Sequence, residues 1–174
     1  MRSLSNRLTR FGLMISCLVC FLMAAAVFAW AQARQAGLWE TTTMMSWQKS
    51  PMPNGALPPG TMGGSHTSEI CLTQSMIDKF GAPMPLARQD CTIVNVKKTE
   101  HDMTAELVCV GRMNGKGTIE ASWEDAFHAK SKVHFTGTVE NGPSSRPIEW
   151  TSSSTSVYKR GNCGTVKPIE PTTK

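Results

Sequence analysis

Cysteine is the residue of this chain whose number and spacing speak most directly to chemistry. Beyond the first thirty-odd residues there are four: Cys71, Cys91, Cys109 and Cys163. Thiolates can hold a metal ion or oxidise to disulfides. A structural zinc site built on thiolates draws on closely spaced C-x-x-C pairs, and these four contain none. An even number of cysteines in an exported chain points instead to two disulfides. The runs "CTIVNVKK" and "MTAELVCV" flank the polar turn "TEHD". A hairpin centred near residue 100 places Cys91 opposite Cys109, Ile93 opposite Leu107 and Asn95 opposite Ala105. Facing strand positions can be bridged where they form a non-hydrogen-bonded pair, whose side chains lie closer. Cys71 is then left to pair with Cys163. That bridge closes a loop of roughly 90 residues, worth about 4 to 5 kcal/mol in the chain-entropy account.

A second chemistry is soft-metal binding. Met44, Met45 and His66 lie in a methionine-containing stretch, and thioethers select Cu(I). These positions lack a tight repeat, so Met44 and Met45 read first as packing and Met76 as one side of a short helix. Copper is the runner-up reading, and no cofactor is assigned. His66, His101, His128 and His134 are dispersed, without the H-x-x-H or H-E-x-x-H spacing of a metal helix. Glu124-Asp125 precedes a turn and reads as solvation. There is no nucleophile elbow, P-loop or dinucleotide fingerprint. No catalytic residue is named, and an enzyme is not expected.

Trp39 is the remaining candidate. The G-x-W of Gly37-Leu38-Trp39 is also the opening of lipocalin-like barrels, where the Trp packs at the closed end under an Arg from the last strand. By that analogy Trp39 and Arg160 form a candidate barrel-end pair, worth ~0.5 to 2 kcal/mol as a cation–π contact. The plainer alternative is a core Trp with a solvated Arg.

These residues need elements to position them. Residues 1–33 read as a secretory signal peptide: Arg2, Arg7 and Arg10, then an apolar stretch from Phe11 to Trp30, then Ala29-Trp30-Ala31 or Ala31-Gln32-Ala33 as cleavage sites. Retention as an anchor is the alternative, since about 20 apolar residues span a bilayer. Cys17 and Cys20 fall inside this apolar core, where "CLVC" cannot act as a folded redox site. Eighteen Lys and Arg less thirteen Asp and Glu give +5; without the three leader arginines the remainder is near +2. That balance, with only scattered basic residues, gives no reason to expect nucleic-acid binding.

Residues 34–164 read as one β-domain, with 165–174 a disordered tail. "GLWETTTMMSW" suits a strand, and the Pro/Gly-rich 48–64 is a loop. "SHTSEICL" is a strand. "TQSMIDKFG" is a short helix with Thr73 as N-cap, Ile77 and Phe80 turned inward and Gly81 as terminator. From Cys91 an antiparallel meander follows. Asn114-Gly115 is the strongest short-range hairpin signal. It sets Val108 opposite Ala121, Val110 opposite Ile119 and Glu106 opposite Trp123. One face then collects Val94, Val96, Val108, Val110, Ile119 and Trp123, with Glu106 stranded among them. "KSKVHFTGTV" alternates Val133, Phe135 and Val139 against His134, Thr136 and Thr138. "NGPSSRP" is a turn, and "IEWTSSSTSVYKR" a last long strand. The expected fold is all-β: a strongly curled sheet or barrel with one short helix and two disulfides.

The order "GLWETTT", a Met/Pro/Gly-rich loop, "ICLT", "DCTIVNVKK", "AELVCVG", "GKGTIEASW" and "YKRGNCG" resembles the bacterial domain-of-unknown-function 3617 family over roughly residues 36–164. The resemblance implies an exported, periplasmic or secreted small protein with no assigned activity and no catalytic residues to carry over. The loop is less Met-dense than the family pattern, which weakens a Met-based function. The function expected is a non-enzymatic binding or envelope-interaction module, in its sharpest form for a small apolar ligand. The copper protein and a structural envelope component without a ligand are the alternatives. Once the leader is cleaved no membrane span is expected, and an envelope protein is the other candidate partner.

Overall fold

The computed structural model describes residues 34–52, 64–84, 90–141 and 144–169. Its elements are β1 (Gly37–Lys49), β2 (Ser65–Leu72), α1 (Gln74–Phe80), β3 (Cys91–Lys98), β4 (Asp102–Cys109), β5 (Met113–Ser122), β6 (His128–Asn141), β7 (Ser144–Arg160) and β8 (Pro168–Ile169). The eight strands form one sheet in the order β3-β4-β5-β6-β7-β1-β2-β8. Every neighbouring pair is antiparallel except β2 with β8. The edges β3 and β8 do not pair, so the sheet is a curled half-barrel and not a closed barrel.

Alternation decides which face is buried. On β4, Met103, Ala105, Leu107 and Cys109 are buried, whereas Asp102, Thr104 and Glu106 are exposed. The same parity continues through Ile119 and Ala121 on β5 and Val133 and Phe135 on β6. α1 adds Met76, Ile77 and Phe80 to this cluster. Laid flat, eight strands at about 4.8 Å spacing would spread over ~34 Å. A helix is only about 10 Å wide, so the sheet buries its apolar face by curling round it. The sharpest backbone approach lies between β5 and β6. A Cβ added to Gly117 would sit 2.6 Å from the His134 carbonyl oxygen, and one added to Gly137 would lie 2.9 Å from Cε1 of Phe135. The Phe135 ring thus covers glycines that let the strands bend.

The helix forms as its sequence predicts. The Met76 N–H donates to Thr73 Oγ1 at 3.3 Å, and Gly81 closes the helix in the left-handed region with its N–H on the Ile77 carbonyl at 2.7 Å. Both disulfides have the expected pairing. Cys91 and Cys109 face each other with Cα atoms 4.0 Å apart, and Cys71 and Cys163 are 5.6 Å apart. The latter bridge returns the chain to β2, where Pro168 and Ile169 pair in parallel with Cys71 and Leu72. Part of the segment read as a disordered tail is therefore a short strand; residues 170–174 lie outside the described residues.

Four sequence expectations are corrected. The β4–β5 turn is not at Asn114-Gly115: Cys109 pairs with Gly115 and Asp102 with Ser122, so the chain reverses at 110–112. Gly115 is inside β5, opposite Gly137, where it serves close strand approach and not a turn. The five-residue register change flips the β4 face. Leu107 and Cys109 point to the core, Val110 is exposed, and Glu106 lies on the solvent side opposite Thr118 and needs no buried partner. Within β3 the register slips after Val94, with Asn95 at φ 53°, so Asn95 does not oppose Ala105 and Val96 packs against the core. Finally, Ser144–Pro147 belong to β7, so the last turn is shorter than "NGPSSRP". Most of the Pro/Gly-rich loop (53–63) falls outside the described residues.

Candidate functional site

Strand register orders the buried face into rows that cross the sheet. At the end next to α1, Trp39 pairs with Ile70 and Tyr158 and is 1% exposed. Its indole N–H donates to the Gln35 carbonyl at 3.0 Å, and Tyr158 meets the ring edge-on with centroids 5.6 Å apart. Trp123 lies at the same end, its N–H on the Glu100 carbonyl at 2.5 Å and its ring beside Gly81. The Arg34 guanidinium stacks over that ring, 3.6 Å from the centroid. It also lies by the C-terminal end of α1, where the helix dipole favours a cation. Burial draws the Arg34 guanidinium below its ordinary pKa, and its Nε is buried without a hydrogen-bond partner. Arg34→Ala is expected to lower the unfolding free energy by ~0.5 to 2 kcal/mol, with Arg34→Lys recovering only part; urea titration measures both.

On β1 and β7 the middle rows carry hydroxyls, and on β4–β6 they continue as Met103, Ala105, Ile119, Ala121 and Val133. Thr41 pairs with Ser156 and Ser68, and Thr43 with Ser154 and His66. Thr41 and Ser156 share a hydrogen bond of 2.9 Å and Thr43 and Ser154 one of 2.8 Å. The next large row runs Ile93, Leu107, Gly117, Phe135, Trp150, Trp47 across six strands. Phe135 is fully buried and stacks on Trp150 with centroids 5.5 Å apart, 19° between planes. Trp47, Trp150, Ile93 and, further out, Met113 and Val139 are only partly buried against this core. The Trp47 Nε1 is itself buried and has no hydrogen-bond partner. The interior is thus closed by α1 at one end, and towards the other it carries the partly exposed rings of Trp47 and Trp150, past which Cys91, Cys109 and Ile148 are again buried.

The opposite face is polar. Two rows cross five strands there: Asp102, Ser122, Lys130, Thr155 and Thr42, then Thr104, Glu120, Lys132, Ser153 and Met44. They line an open depression of about 600 Å³. Its lining mixes hydroxyl groups and charges of both signs with a larger share of apolar surface.

The family described as "Protein of unknown function (DUF3617)" matches residues 34–163. The chain belongs to the DUF3617 family. No curated protein and no solved structure matches it. In this DUF3617 domain the matched segment begins at Arg34, the residue that stacks on Trp123, and ends at Cys163, the residue that ties the tail to β2.

The residues singled out in the sequence fall at separate places in the fold. Trp39 is core, but Arg160 is exposed and donates from Nε to the Asn162 carbonyl at 3.0 Å; it is not paired with Trp39's ring. The Arg-on-Trp contact exists with other residues, Arg34 and Trp123. The sequence hides this pair because Arg34 directly follows the apolar N-terminal stretch and an Asn114-Gly115 turn sets Trp123 opposite Glu106. Met44 is 58% exposed on the polar face, whereas Met45 shares the core face with Thr43 and so with His66. The three copper candidates therefore do not point to one place. Met76 and Met84 are buried, and Met62 lies outside the described residues. Among the described residues no three or more His, Cys, Asp or Glu gather as a metal site.

Asp125 does more than solvate. Its Oδ1 accepts the Phe127 and His128 N–H groups at 2.7 Å each, and its Oδ2 lies 2.7 Å from His128 Nδ1. The His128 ring and then the Phe127 N–H hold its carboxyl below the ordinary pKa. A depressed carboxylate stabilises the turn above its unfolded value, about 3.9, and that contribution is lost as pH falls through the lower folded value. In a carboxyl NMR titration Asp125 is expected to titrate below the usual range, with the Phe127 and His128 amide shifts following it.

Proposed function

We propose that this DUF3617 chain is an exported, non-enzymatic binding module that receives a small apolar ligand in the half-open interior of its sheet. One observation carries the reading: the half-buried Trp47–Trp150 row backs directly onto the fully buried core, in a sheet that does not close. Partly uncovered aromatics continuous with a core are the kind of surface an apolar ligand covers. Export is supported by the leader-like N-terminus and by two disulfides, which persist in oxidising compartments. Among the described residues no helix is long and apolar enough to cross a membrane.

Native mass spectrometry of the protein purified gently from the envelope fraction tests the binding. The expected spectrum shows the processed chain, starting at Gln32 or Arg34, with an added apolar molecule that organic extraction removes. A Trp150→Ala variant should lose that adduct. A bare chain in every preparation, together with no uptake of added hydrocarbon-chain compounds, would sink the proposal.

A further inference from the structure

Trp47 carries the more specific information about the ligand. Its ring belongs to the partly exposed aromatic row of the interior, packed against the core beside Trp150. Its Nε1–H is buried yet donates to nothing. The other two indole donors described above are satisfied: Trp39 by the Gln35 carbonyl and Trp123 by the Glu100 carbonyl. A buried donor without an acceptor forfeits its hydration uncompensated, and native folds rarely leave one so. Ser152, buried, lies two residues from Trp150 on the same face, and Thr43 and Ser154 lie four residues along each strand. In their mutual hydrogen bond one hydroxyl donates, so the other retains a proton for a further acceptor. That stretch of the interior therefore offers donors and apolar carbon, with no carboxylate on the same rows of β1, β6 and β7.

We infer that the ligand is an acceptor-headed amphiphile, a long-chain acyl compound whose carboxyl or ester oxygen takes the Trp47 Nε1–H while its hydrocarbon lies on the Trp150 side of the row. This rests on the apolar-ligand reading above and adds a polar anchor and a chemical class to it. A chain of equal length whose head only donates, such as an alkylammonium, cannot use the indole N–H. Trp47 is then the specificity determinant between the two.

Calorimetric titration of the processed protein with decanoate and with decylammonium, repeated on Trp47→Phe, tests this. Phenylalanine keeps an aromatic ring and removes the N–H. Decanoate is expected to bind the variant about tenfold more weakly, the scale of one hydrogen bond to a charged acceptor. Decylammonium should bind both proteins within twofold. In the wild type, the ¹⁵N–¹H resonance of the Trp47 indole should move on adding decanoate and stay in place with decylammonium, a readout that needs no substitution. Equal decanoate affinity for both proteins, with an unmoved indole resonance, would overturn the anchor but leave an apolar site standing. An equal loss of both probes would assign Trp47 to packing alone and also overturn it. Failure of both probes to bind the wild type would remove the apolar-ligand reading itself.

Discussion

Phe135→Ala is expected to lower the unfolding free energy by about 3 to 5 kcal/mol, the upper range for truncating a buried aromatic. The side chain is fully buried, and its ring does two jobs. It stacks on Trp150 at 5.5 Å, and it shields the backbone where Gly115, Gly117 and Gly137 approach. Three neighbouring glycines have no side chains to move into the space, so the cavity cannot collapse from that side. Filling it from the glycines fails as well, since a Cβ on Gly117 would stand 2.6 Å from the His134 carbonyl oxygen. Phe135→Leu should recover part of the loss by restoring carbon without the flat ring. Phe127→Ala is the control. That ring is 46% exposed and touches Tyr158 at 5.8 Å, so its removal should cost under about 1 kcal/mol. Urea denaturation of the three variants at neutral pH decides the order; a Phe135→Ala value below that of Phe127→Ala would contradict the proposed role in the curl.

The second large effect concerns the disulfides, which should differ from one another. Cys71–Cys163 spans 92 residues and Cys91–Cys109 spans 18. Loop-closure entropy assigns them roughly 4.6 and 3.2 kcal/mol respectively. The longer bridge also has a local consequence, because β8 pairs with β2 only beside Cys71. Replacing Cys71 and Cys163 together by alanine should therefore destabilise more than replacing Cys91 and Cys109. It should also raise hydrogen exchange at Ile169 selectively. Thermal melts of the two double variants, with exchange read at single residues, provide the comparison. Equal losses would show that the unfolded chain retains enough structure to make loop length irrelevant.

Much of this architecture can be read along the chain, and the reasons for success and failure are local. The helix is legible because Thr73 and Gly81 are strong, independent end signals around an apolar pair at the right spacing. The Cys91–Cys109 bridge follows from a hairpin whose turn is polar and short. The next hairpin misled because Asn-Gly has two physical uses. It favours a tight turn, but its glycine also permits close strand packing, and here the packing uses it at Gly115. A single wrong turn then reversed one strand and hid both the core face of β4 and the setting of Trp123. The site depends on Trp47 and Trp150 meeting across β1 and β7, residues more than one hundred positions apart. No local pattern reports such a meeting. The unsatisfied Trp47 N–H is likewise invisible in sequence, since it depends on what the fold fails to place beside it.

The position of β1 bears on when the fold can be completed. The first strand of the domain lies between β2 and β7, and its longest ladder, from Leu38 with Arg160 to Lys49 with Glu149, joins the beginning of the chain to its end. The β3–β7 meander can zip from local hairpins as it emerges, but β1 has no partner on one side until the last long strand exists. Such distant pairing makes folding slow, because loop closure comes before the contacts that reward it. A nascent chain of this design stays open until nearly all of it has been synthesised. For a protein proposed to cross a membrane as an extended thread, that delay keeps it threadable.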